Sequence, residues 1–172
     1  MGSLITNQVR AAMSERLQDP TYGYNAAISQ FAAQLGASLP TVDFTSGLQY
    51  FQAYVNVDVL TDCSTFKYPL ILLYGVSAEN QNKEKFREFS GPIMMGLEVI
   101  HTWRKEDVDP TAHEDTADIV EAAIYQVFNQ NWFPGPAVNY NGRIKHAKQP
   151  LEPLGEGLRL RQIFSFQFEL NV

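Results

Sequence analysis

The chain has 172 residues, a formal net charge of −6 and a pI near 5.0, and 45% of its residues are apolar and 12% aromatic. That apolar content excludes disorder over most of the length, and the acidic balance excludes whole-molecule attraction to nucleic acid or to an anionic membrane. No apolar run reaches bilayer length, the longest being Pro69–Tyr74, and the single cysteine, Cys63, excludes a disulfide framework or a cysteine-rich zinc site.

Composition does not break along the chain, so one domain over residues 1–172 is expected, with a helical segment at 1–36 and a sheet from 40 to 172. The first six residues lack the basic start and hydrophobic stretch of a secretory signal, which points to a protein made and kept in a cytoplasm. From Ser3, a candidate cap, Leu4, Ile5, Val9, Ala12, Met13 and Leu17 recur at helical spacing until Asp19 and Pro20 stop them. A second helix is predicted from about Asn25 to Leu35, terminated by Gly36.

Pro40–Leu60 is the first β region, with Tyr50–Leu60 rich in aromatic and β-branched residues and Phe51, Ala53, Val55, Val57 and Val59 on one face. Tyr68–Val76 reads as a strand covered on both faces, with Pro69 at its first position or on an edge. Ser77–Ser90 is polar and charged and reads as a surface loop. Gly91–Arg104 alternates as a long strand on which His101 is expected to sit half-buried.

An acidic connector, Glu106–Pro110, leads to an amphipathic helix over about 111–131. Ile119, Val120, Ala123, Ile124, Val127 and Phe128 form its apolar stripe, Tyr125 lies off it, and Glu114, Asp115 and Asp118 suit the positive end of the dipole. After the Pro/Gly break at 132–136, Val138–Lys145 reads as a hairpin with a tight primed turn at Asn141 and Gly142. A loop at 149–157 precedes the final strand, 158–172. There Leu158, Leu160, Phe164, Phe166, Phe168, Leu170 and Val172 share one face, while Arg159, Arg161, Ser165, Gln167, Glu169 and Asn171 share a wet one. The expected fold class is α+β: a mainly antiparallel sheet packed on an amphipathic helix, with an N-terminal helical segment and a protruding loop and hairpin.

Chemistry-bearing residues are sparse. His101, His113 and His146 lack ligand spacing, and His113, Glu114 and Asp115, adjacent on one helix, do not point to one centre. Cys63 has no base or redox signature beside it, and no nucleophile elbow, phosphate-binding loop or dinucleotide fingerprint occurs. No catalytic residue, metal or cofactor is expected. The basic run Arg143, Lys145, His146 and Lys148, with Tyr140, reads as a solvated face able to act as a contact arm.

The order of elements, with Tyr68–Tyr74, Leu97–Trp103, the helix Ile119–Phe128 and the last strand Phe164–Leu170, resembles the tail terminator proteins of long-tailed bacteriophages. Those are small α/β virion subunits that cap a finished tail tube. The resemblance spans most of the chain from about residue 66, plus the first helix; this chain is longer, with a second N-terminal helix and extra material at 132–157. It implies a non-enzymatic structural protein of the virion neck, assembled in the host cytoplasm. It also implies a ring, of six copies, that meets the tail tube protein and a head-completion protein, with genomic DNA only passing through its lumen and no membrane partner. Candidate contact residues are then Glu79, Lys83, Lys85 and Arg87 on the 77–90 loop, Tyr140, Arg143, Lys145 and Lys148 on the hairpin, Tyr125 on the helix, and Arg159 and Arg161 on the last strand. Two other readings stand beside it: a head-completion or tail-tube subunit of the same fold, and a small α+β enzyme or ligand-binding domain using Glu98, His101 and Asp118.

Overall fold

Val9, Met13 and Leu17, spaced four apart, put one buried stripe on α1 (Gly2–Gln18). The helix already includes Ser3, which is therefore not its cap. Beyond its end the Asp19 carboxylate accepts hydrogen bonds from the Thr21 and Tyr22 amides at 2.8 and 2.7 Å, fixing the turn into α2 (Tyr24–Gln34). Gly23 is required there because a Cβ would lie 2.3 Å from the Asp19 carbonyl oxygen. At the far end Gly36, at φ +65, donates to Ala33 O and Ala37 donates to Ala32 O, the paired bonds of a glycine-terminated helix.

The computed structural model describes residues 2–56, 66–79, 81, 90–107, 109–155 and 157–171. Among them the strands are β1 (Tyr50–Phe51), β2 (Leu70–Ala78), β3 (Ser90–Arg104), β4 (Val138–Lys148), β5 (Glu152–Leu154) and β6 (Gly157–Asn171). They form one sheet in the order β1-β2-β3-β6-β4, with β5 also paired to β6. Only β1 and β2 run parallel. The spine is the β3–β6 ladder, unbroken from Ser90↔Asn171 to Arg104↔Gly157. The fold is α+β, as the alternation in these two strands predicts.

Helix α3 (Pro110–Val127) lies behind that spine. Its cap is Asp109, whose carboxylate accepts from the Thr111 and Ala112 amides at 3.0 and 3.4 Å, with Pro110 at the first helical position. No acidic residue lies in the first turn, so Glu114, Asp115 and Asp118 sit too far along to meet the positive end of the dipole. The helix stops at Val127, short of Asn131, because Tyr140 and Arg16 take its last carbonyls: Tyr140 Oη donates to Phe128 O at 2.7 Å and Arg16 Nε to Val127 O at 2.9 Å. Ile119, Val120, Ala123, Ile124, Val127 and Phe128 are buried against Phe164, Phe166 and Phe168 of β6, and the rings of Phe128 and Phe166 meet edge to face at 5.0 Å.

The opposite face of the sheet carries a smaller core of Leu70, Leu72 and Ile100 under Phe51, Val55, Phe66, Tyr68 and Tyr74. This cover accounts for the failure of Tyr50–Leu60 to form one strand. Only Tyr50 and Phe51 pair, after which the chain leaves the ladder and lays Val55 on Leu72 and its neighbours; residues 57–60 lie outside the described residues.

Three further expectations change. Strand β2 begins at Leu70, directly after the cis Tyr68–Pro69 peptide, and only Leu70–Leu73 are buried on both sides, while Gly75–Ala78 are exposed. It also runs on through Ala78, and β3 starts at Ser90, so the two ends of the predicted 77–90 loop belong to strands, while residues 80 and 82–89 lie outside the described residues. Residues Asn141 and Gly142 do not turn a hairpin; β4 is continuous along β6, and the extra residues between Tyr140 and Ile144 form a bulge. Gly142 uses its φ of +74 there, with no room for a Cβ, which would sit 3.0 Å from Gln130 Cα.

Candidate subunit interface

The candidate contact residues divide by what holds them. Arg143 and Lys145 are exposed on β4, Glu79 is exposed just past β2, and Tyr125 points outward from α3. Lys148 is exposed but ion-paired with Glu114 of α3. Tyr140 is half-buried: its ring stacks on Phe168 at 5.0 Å and meets Trp132 edge to face, so it ties β4 to the end of α3, and burial raises its pKa. Lys83, Lys85 and Arg87 lie outside the described residues, as does Cys63.

Arg159 and Arg161 are not on a wet face. Arg159 is 5% exposed and donates to Glu152 of β5 at 2.6 Å. Arg161 donates through Nε and Nη2 to Glu98 Oε2, both at 2.7 Å, while Tyr74 donates to Glu98 Oε1 at 2.6 Å. Burial opposes the Arg161 charge, but the Glu98 carboxylate, together with Tyr54, more than offsets it and raises its pKa. The Tyr74 hydroxyl is pushed well above its ordinary range, first by burial and then by Glu98. The ring of Tyr54, 5.1 Å from that of Tyr74, closes the cluster from the segment that crosses the sheet. The signal for this cluster is in the sequence: Glu98 stands inside an apolar strand, and a carboxylate there demands a cation on the neighbouring strand.

The histidines do not converge either. His101 is buried, not half-buried, and burial alone drives its pKa down to about 4. It flanks Trp103 on one side while His113, also buried, lies against the same indole at 4.2 Å. His146 stacks on Phe164 at 4.5 Å, with Nδ1 3.4 Å from Glu121 and Nε2 3.4 Å from Gln162 Nε2. Gln162, fully buried in the apolar row of β6, donates to Ala117 O at 2.8 Å and so bolts β6 to α3. Among the described residues no three His, Cys, Asp or Glu side chains gather as a metal set.

Glu98 and His101, three apart on one strand, project from opposite faces of the sheet, and Asp118 is exposed on α3, so these three do not line one pocket. Shallow hollows occur among the described residues. One of about 230 Å³ sits at the β4 bulge among Asn139, Asn141, Gln167 and Glu169; another of about 240 Å³ lies between α1 and Trp132–Pro134, beside the exposed Phe133. Compared with known protein families and with curated proteins, the sequence matches none. No described helix is long and apolar enough to cross a membrane.

Proposed function

We propose that the protein is a structural subunit of a long-tailed bacteriophage virion, a tail terminator that forms a ring on the head-proximal end of the tail tube. There it stops tube polymerisation and joins the tail to the neck. The observation that carries this reading is the element order: an N-terminal helix, the β2–β3 pair, α3, and a terminal strand that pairs along the whole of β3. A rigid plate of this kind, with charged side chains along its free margins, suits a subunit whose work is contact. Six copies would each carry a formal charge of −6, which suits a lumen through which DNA slides without sticking.

Deleting the gene from the phage genome tests this. Electron microscopy of the lysate is expected to show tails of uncontrolled length or heads without tails; normal virions would sink the idea. A tail-tube subunit of the same fold is the second reading, and purified protein that polymerises into long filaments would favour it.

A further inference from the structure

We propose, as a deepening of the ring reading above, that neighbouring subunits join edge to edge: the outer edge of β4 in one copy adds to the outer edge of the distal half of β2 in the next. The registers place these two margins at the same height of the sheet. Tyr140 of β4 pairs with Phe168, Phe168 with Ile93, and Ile93 with Ala78 of β2. By the same steps His146 of β4 stands level with Leu73 of β2. Strand β1 covers β2 only at Ile71 and Leu72, so among the described residues no strand pairs with Leu73–Ala78 on that side, and Gly75–Ala78 are exposed. Among the described residues both edges are therefore open at this end of the sheet, and exposed edges invite another strand.

Direction and charge choose the occupant. From β2 through β3 and β6 to β4 every step is antiparallel, so β4 runs opposite to β2. Copies related by the rotation of a ring thus bring β4 to β2 as one more antiparallel pair. A symmetric β4–β4 pairing would also be antiparallel, but it would set Arg143 and Lys145 against their own copies, which like charges oppose. The β2 margin instead carries the exposed Glu79 and, from Leu73 to Glu79, no cation. Both margins also bulge at this height, β2 between Gly75 and Ser77 and β4 between Tyr140 and Ile144.

The test is oxidative cross-linking of the full chain carrying Val76→Cys and Arg143→Cys, both exposed sites, with Cys63→Ser to remove the native thiol. The double-cysteine protein is expected to give a non-reducing ladder beyond dimer, and neither single-cysteine protein should cross-link. A dimer from Arg143→Cys alone, or no cross-link from the pair at any concentration, would overturn the proposal. By sedimentation, Arg143→Glu with Lys145→Glu is expected to weaken self-association about tenfold, and mixing with Glu79→Lys protein to restore it in part; unchanged association would count against the edge contact. A cross-linked ring alongside normal tails in the deletion phage would remove the terminator role and leave the pairing intact. Aberrant tails with no cross-link would do the reverse.

Discussion

The two faces of the sheet are built on different physics. Toward the helices, Ile93, Met95, Leu97 and Val99 of β3 and Phe164, Phe166 and Phe168 of β6 are all fully buried, with a few polar groups buried among the helices and strands, Gln162, the histidines near Trp103, Ser14 and Thr116 among them. Toward the other side, among the described residues, cover lies over the end nearest β1, and beside it is an ion pair, Glu98 with Arg161, capped by Tyr74. Apolar burial needs no particular partner and tolerates no hole. A buried pair is the converse, since its two members can be lost together more cheaply than one at a time. One face thus holds the plate together, and the other holds a crossing segment in place.

Adjacent residues of β6 put this contrast to its hardest test. Phe166→Ala is expected to cost about 4 kcal/mol in equilibrium denaturation, because it empties the contact with Phe128 in a close-packed core. Gln167→Ala, one step along on the exposed side, should cost under about 0.5 kcal/mol. Comparable losses at the two positions would break the comparison.

The second test concerns the pair. Glu98→Leu is expected to cost about 3 kcal/mol, since it strands a guanidinium whose side chain is 17% exposed and leaves the Tyr74 hydroxyl without its acceptor. Glu98→Leu with Arg161→Leu should be more stable than Glu98→Leu alone. Additive losses in this double-mutant cycle would mean that the two side chains do not act as a pair.

How much of this could be read in advance follows the range of the forces. The β6 alternation and the α3 stripe are legible because one face buried against the core over fifteen or eighteen residues writes its period into the chain, and β3 is legible by its length although Met95–His101 are buried on both faces. Gly36 is legible because a positive φ at a helix end is a local demand. The bulge at Gly142 shares its local chemistry with a hairpin, and what separates them is whether β6 continues alongside, a fact about residues more than twenty positions away. Likewise Arg159 and Arg161 look wet until the 51–56 and 66–68 segments are laid over that side of the sheet. Among the candidate contacts, Arg143, Lys145, Tyr125 and Glu79 keep the exposure that their polar surroundings suggest, because no distant segment among the described residues folds back on them.

The smallest expected effect is the pH response of the helix-side face, where His101 is an exception to its apolar character. With its pKa at about 4 in the folded chain against an ordinary 6.5, His101 is neutral when folded, and below pH 6.5 the unfolded chain takes up its proton first. The sign follows: stability from this residue is complete above about pH 6.5 and is lost as pH falls toward 4. Between pH 7.5 and pH 5 the loss is about 2 kcal/mol. Other groups titrate over the same range, so the reading is the difference between the parent and His101→Leu, each unfolded by denaturant at both pH values. The parent should lose about 2 kcal/mol more than the variant. Equal losses would mean that the imidazole reaches solvent or a partner when charged, and the face behind Trp103 would then be as polar in character as the Glu98 side.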